Sequence, residues 1–149
     1  MRILVVCKGN TCRSPMFAAK LREGLKKAGK NGILIESAGY DPLAQGQSAA
    51  TDWAMLLQMT KVSFIGHRSR WLGSLNLALY ERIYCMDQAT VDEVQKFSDR
   101  LVRGVVVEVV HPPDGIPNPW KLGLDAYRDC YQTICEAVDE TIRGLSVKQ

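Results

Sequence analysis

The segment Cys7-Lys8-Gly9-Asn10-Thr11-Cys12-Arg13-Ser14 holds the residues best suited to chemistry in this 149-residue sequence. It follows the apolar run Ile3-Leu4-Val5-Val6 and precedes a helical pattern. A loop between a strand and a helix N-terminus presents unpaired backbone N–H groups and the positive end of the helix dipole, so it attracts an anion. Gly9 lets the chain curl, and successive N–H groups in a curl form an anion nest. Arg13 adds a planar fork that matches two phosphate oxygens. Cys7, at the strand end, places a sulfur in the centre of the nest, surroundings that favour a thiolate. The residue types spell a phosphate site with a nucleophile at its base. The GK[ST] ending of a Walker loop is absent.

Those residues need a scaffold, and the remaining sequence supplies one. Ser14-Pro15 reads as a helix start, with Phe17, Leu21, Leu25 and Ala28 at helical spacing and Gly29 as the stop. Ile33–Ile35 is a second strand and 37–47 a loop with Gly39, Pro42 and Gly46. Ser48 is expected to cap a helix running to about Met59, carrying Trp53, Leu56 and Leu57 on its apolar side. Ile83–Met86 is a third strand, Ala89–Phe97 a charged amphipathic helix, and Val105–Val110 a fourth strand. His111–Gly123 is a Pro- and Gly-bearing loop, and the stripe Tyr127, Cys130, Tyr131, Ile134, Val138, Ile142, Leu145 marks the last helix. Alternating strands and helices predict a single α/β domain over residues 1–149, with a four-stranded parallel sheet, helices on both faces and a phosphate-binding loop after the first strand. Ligands of such sheets sit beyond the strand carboxyl ends. That crevice gathers the 7–14 loop and the 111–123 loop.

Composition narrows the class. Hydrophobic residues make up 46% and charged residues 23%, ordinary for a globular domain. A net charge of +3 without a basic run gives no footprint for nucleic acid. The longest apolar stretches fall well short of the roughly 18–20 residues of a membrane span. Five cysteines and no export signal at the start of the sequence predict reduced thiols in a cytoplasm. Cys7-x4-Cys12 and Cys130-x4-Cys135 are poor zinc pairs, because the second lies inside a helical pattern and the first has the use just described. No metal or cofactor is expected. Cys85, Cys130 and Cys135 read as core residues and His111 as structural, while oligomeric state is left open.

The segment Val6-Cys7-Lys8-Gly9-Asn10-Thr11-Cys12-Arg13-Ser14-Pro15 resembles the V-C-x-G-N-x-C-R-S-P signature of the low-molecular-weight protein tyrosine phosphatases. Ser37-Ala38-Gly39, Gly66-His67-Arg68-Ser69-Arg70, Met86-Asp87 and Pro117-Asn118-Pro119-Trp120 extend the likeness over nearly the whole chain. The resemblance implies a hydrolase acting on phosphotyrosine of a protein substrate through a phosphocysteine on Cys7. Arg13 and the N–H groups of Lys8, Gly9, Asn10, Thr11 and Cys12 would hold the phosphoryl oxygens or an inorganic oxyanion. Ser14 would steady the thiolate, and Asn10, with His67 as a partner, would brace the loop. Charge stabilisation of the transferring group would supply most of the rate. Cys12 is expected to capture oxidised Cys7 as a disulfide.

The sequence departs from the family at two points. The family's general acid is the Asp of its D-P motif, and Asn118 stands there. General acid catalysis contributes about 10²–10⁴-fold, which an amide cannot supply. Three accounts remain open: an impaired Asp-to-Asn variant, a weak phosphatase or phospho-binding module, or takeover by Asp114. Thr11 stands where tyrosine-directed members often carry a larger aliphatic residue and where members resembling protein arginine phosphatases carry Thr, so phosphoarginine is the alternative substrate. Trp120 would wall the pocket and stack on a flat substrate group, with Tyr40 a second wall. Thiol-dependent arsenate reductases share the loop, but the cysteine relay they need beyond the third strand is absent.

Overall fold

A computed structural model of the chain describes residues 1–50, 53 and 66–147. Strands β1 (Arg2–Cys7), β2 (Leu34–Gly39), β3 (Arg82–Cys85) and β4 (Val106–Val109) form one sheet in the order β2-β1-β3-β4, and every pairing is parallel. Helices α1 (Arg13–Lys27), α2 (Gln88–Gln95) and α3 (Leu124–Val147) complete the described elements, with single 3₁₀ turns at Leu72–Ser74, Leu77–Leu79 and Ser98–Arg100. The expected fold class is observed.

The continuous apolar run of β1 is explained by burial on both faces. Ile3, Val5 and Cys7 join a core with Phe17, Leu21 and Leu25 of α1 and Tyr127, Ile134 and Val138 of α3. Leu4 and Val6 point the other way, into a second core with Leu72, Leu77, Tyr80 and Val94 of α2. A parallel sheet covered on both sides has no solvated face to encode as alternation.

Two boundaries differ from the sequence reading in ways that matter for the site. Residues 37–39, read as loop, are strand, because β2 pairs with β1 up to Cys7↔Gly39. Ladder bonds outweigh the low strand preference of Ser, Ala and Gly. Helix α1 begins at Arg13 with Cys12 as its N-cap residue, so Ser14 is not the cap and Pro15 is the third helical residue. Proline is tolerated there because the first-turn N–H groups have no intrahelical acceptor. Most of the helix expected over 48–59 lies outside the described residues; Trp53 is helical and fully buried. Ser48, the expected cap, is outside a helix and accepts a bond from Arg68 at 2.6 Å.

Candidate active site

Strand β1 ends at Cys7 and α1 begins at Arg13, so the five residues 8–12 must turn tightly at the end of the strand. Gly39 allows that turn to sit close. A Cβ there would lie 2.6 Å from the Lys8 carbonyl oxygen and 3.0 Å from the Asn10 nitrogen, and both obstacles are backbone. Backbone bonds from Tyr40 to Cys7 and from Asp41 to Lys8, both 3.0 Å, clamp the loop to the end of β2.

Asn10 governs the interior of the loop. It is fully buried and adopts a left-handed conformation, φ 56°. Its Oδ1 accepts from the Arg70 backbone N–H at 3.0 Å, which fixes the amide orientation. Its Nδ2 then donates to Ser14 Oγ at 2.7 Å and Ser37 Oγ at 3.0 Å. Because Ser14 Oγ accepts from Asn10, its own hydrogen is available for Cys7 Sγ, 3.0 Å away. The Asn10 backbone N–H also donates to Cys7 Sγ, at 3.3 Å. Two donors thus converge on the sulfur, the arrangement that stabilises a thiolate. His67 closes the network through Nε2, 2.7 Å from the Asn10 carbonyl oxygen. A carbonyl only accepts, so Nε2 carries the proton. Burial, together with nearby Arg22, Arg70 and Arg68, holds the His67 pKa below its ordinary value and favours the neutral ring.

Arg13 is 3% exposed, and its Nη1 is committed. That nitrogen donates to Asp87 Oδ2 at 2.6 Å and to the Ile116 carbonyl at 2.9 Å. Nη1 is thus anchored from two sides, and Arg13 also lines the cavity described below. Burial opposes the charge on Arg13, but Cys7 and Asp87 outweigh it and raise its pKa. Asp87 works twice, since its Oδ1 also caps α2 by accepting from Thr90 N at 2.8 Å. Burial alone would raise the Asp87 pKa, yet the bonds from Arg13 and Thr90 hold it below the usual carboxylate value. The 111–120 loop is held at the same place by Ile116 N donating to the Met86 carbonyl at 2.7 Å. Gly115, at φ 73°, passes so close to Met86 that a Cβ would strike its carbonyl oxygen.

These elements enclose a cavity of about 280 Å³ lined by Cys7, Lys8, Gly9, Thr11, Cys12 and Arg13 of the first loop and helix start and by Asn118 and Trp120 of the 111–120 loop. The cavity thus brings together residues that sequence reasoning drew from both loops. Trp120 is 49% exposed and lines the cavity instead of packing into the core. Asn118 Oδ1 accepts from Trp120 N at 3.1 Å, which turns its oxygen toward its own backbone. Asp114 is exposed and does not line the cavity, so the takeover account finds no support in the geometry. Tyr40 packs beside the second core, and its neighbours Asp41 and Gln47 line the cavity in its place. Asp41, Gln47, Asp87 and Arg70 were missed as site residues. Only Met86-Asp87 and the Arg70 segment left a trace in sequence, as motifs without assigned roles.

The other cysteines divide by environment. Cys12 Sγ lies 3.2 Å from the Tyr127 hydroxyl, and burial raises its pKa. Cys85 and Cys130 are core residues as expected; burial pushes Cys85 far up and Cys130 to about 12. Cys135 is half-buried, a departure from the core reading, because its place on α3 opens into a shallow cavity beside Lys20 of α1. His111 meets Glu140 of α3 at 3.1 Å, consistent with its structural reading.

A family model described as low molecular weight phosphotyrosine protein phosphatase matches residues 2–149. The chain belongs to that family. It is similar to the low molecular weight protein-tyrosine-phosphatase Etp of Escherichia coli, with 31% identity over 97% of this chain and 94% of the relative. A solved structure of the YwlE arginine phosphatase from Geobacillus stearothermophilus superposes with a TM-score of 0.82 at 28% identity, covering 99% of this chain and 94% of that one. Vibrio vulnificus Wzb, solved in complex with benzylphosphonate, shares the fold at a TM-score of 0.82 and 24% identity, covering 96% and 97%. Membership of the low molecular weight phosphatase family makes this a cysteine-based protein phosphatase. No helix among the described residues is long and apolar enough to cross a membrane.

Proposed function

We propose that this phosphatase transfers the phosphoryl group of a phosphorylated protein side chain to Cys7 and releases it to water. The observation that carries the reading is the convergence of the Ser14 hydroxyl and the Asn10 N–H on Cys7 Sγ, in a cavity that both Cys7 and Arg13 line. Cys7 attacks phosphorus in line with the leaving atom and forms a phosphocysteine. Arg13 and the N–H groups of residues 8–12 take the charge that develops on the phosphoryl oxygens, the term that dominates such transfers. Ser14 stabilises the sulfur as nucleophile and again as leaving group when water attacks. No metal is required, because the loop supplies the positive field. Cys12, on the same cavity, is proposed as the thiol that traps oxidised Cys7.

Phosphotyrosine is the first substrate class, supported by the family and by Etp, with turnover slowed because Asn118 has no proton to donate. Phosphoarginine is the second, supported by Thr11 on the cavity wall and by the arginine phosphatase relative. Reduced thiols support a cytoplasmic site of action. The test is Cys7→Ser: phosphocysteine formation should vanish while vanadate still binds, read by mass spectrometry and by calorimetric titration. Turnover of an aryl phosphate by that variant would remove Cys7 from the nucleophilic role.

A further inference from the structure

Among the described residues, Asp41 is the only carboxylate on the cavity wall, where the other charged residues are Lys8 and Arg13. Its place is built. Its backbone N–H donates to the Lys8 carbonyl at 3.0 Å, its own carbonyl accepts from Ala44 N at 2.8 Å, and Oδ1 accepts from Leu43 N at 2.9 Å. Oδ2 has no protein donor among the described residues. A fixed negative charge on the wall of a site for a phosphate dianion is unfavourable unless the substrate brings a positive charge there. The half-exposed indole of Trp120 lines the same cavity, and its face attracts a cation such as a guanidinium.

We infer that Asp41 is a specificity-determining residue that receives the guanidinium of phosphoarginine, and that the cavity prefers this substrate to an aryl phosphate. The inference rests on the phosphocysteine reaction proposed above and ranks its two substrate classes. The two substrates differ in the charge of the group that leaves. With phosphotyrosine, the breaking P–O bond leaves its electron pair on the phenolic oxygen, which departs as an anion unless a proton is given to it, and Asn118 holds none. With phosphoarginine, the Sγ–P bond forms as the P–N bond breaks. The electron pair stays on nitrogen and cancels the positive charge that the guanidinium already carries. A neutral guanidine leaves and takes its proton from solvent water; it is more basic than a phenolate, so it too would gain from a proton donor. Asp41 and Trp120 position the cation, and Thr11 adds a small polar side chain to the same wall.

The experiment compares kcat/KM for a phosphoarginine peptide and for the matched phosphotyrosine peptide, in the wild-type protein and in Asp41→Asn. The amide retains the Oδ1 acceptor of the turn while removing the charge; Asp41→Ser serves if the amide variant melts early. The expected result is a crossing. Phosphoarginine turnover falls about 10- to 100-fold, the loss of a charge-assisted bond. Phosphotyrosine turnover rises about two- to fivefold as a like charge is removed. The wild type should favour phosphoarginine. A fall on both substrates, a rise on both, or no change on phosphoarginine would overturn the assignment. Loss of the underlying reaction shows separately, as Cys7→Ser retaining turnover on both peptides.

Discussion

Asn118 is a single amide at the rim of the cavity, facing the loop that carries the nucleophile. Returning a carboxyl to that position should restore proton donation to a leaving oxygen. Asn118→Asp is expected to raise phosphotyrosine hydrolysis by about 10²–10⁴-fold, equivalent to about 3–5 kcal/mol of barrier. The gain should be smallest for p-nitrophenyl phosphate, whose leaving group is stable as an anion, and largest for phosphotyrosine, whose phenol has a pKa near ~10. Steady-state rates across a series of aryl phosphates check this through the slope of rate against leaving-group pKa. A slope unchanged by the substitution would mean that position 118 does not carry the acid. Asn118 was legible as a departure because the flanking prolines and Trp120 identify the motif. Asp41 was not, because a lone Asp before Pro42 in a loop reads as a turn residue, and its turn bond to Leu43 is indeed made.

At the level of elements, the loop is held by the end of a strand that the local sequence does not announce. Ser37, Ala38 and Gly39 are poor strand formers, and their extension is imposed by the β1 ladder. That extension brings Ser37 Oγ to Asn10 and lets Gly39 admit the loop backbone. Gly39→Ala would place a methyl 2.6 Å from the Lys8 carbonyl and 2.8 Å from Ala44 Cβ. We expect a loss of about 1–3 kcal/mol in denaturant titration, as for other overpacked sites, together with a fall in kcat as the nest around Cys7 is displaced. Gly144→Ala is the control. That glycine lies in α3 with nothing near its Cβ position, and alanine there should stabilise by up to about 1 kcal/mol. Equal behaviour of the two variants would show that the close approach at Gly39 is unimportant.

Across the whole molecule, two carboxylates tie distant elements together. Asp87 links the end of β3 to Arg13 of α1, and Glu36 on β2 accepts from Arg2, Arg70 and Tyr80. For both groups burial pushes the pKa up, and bonds from Arg13 and Thr90 in one case, and from Arg2, Tyr80 and Arg70 in the other, pull it lower still. A carboxylate with a depressed folded-state pKa stabilises the fold fully above its unfolded value of about 4 and loses that contribution as pH falls through the folded value. Thermal midpoints should therefore decline slightly as pH falls below about 6.5, where the unfolded chain protonates His67 before the folded one does, and fall steeply below about pH 4 as these carboxylates are protonated. Asp87→Asn should lower the midpoint at neutral pH and flatten the acid decline. A decline of identical shape in the variant would exclude Asp87 from that linkage.

The local sequence by itself determined the loop and the order of elements. Cys7, Gly9, Arg13 and the helix after them are a contiguous segment whose anion preference follows from short-range geometry. The apolar runs 3–6 and 83–86 announce buried strands whatever their neighbours, and 105–110, interrupted by Glu108, becomes a half-buried edge strand. Tertiary structure alone decided which groups hold Arg13, which strand end supports Asn10, and which charge faces the substrate. Asp87 lies 74 residues from Arg13, and Arg70 lies 60 from Asn10. No periodicity records such pairings, because each is set by where parallel strands end beside one another. Asp41 faces the cavity because β2 pairs with β1 through its last residue, and that register is a property of the folded sheet.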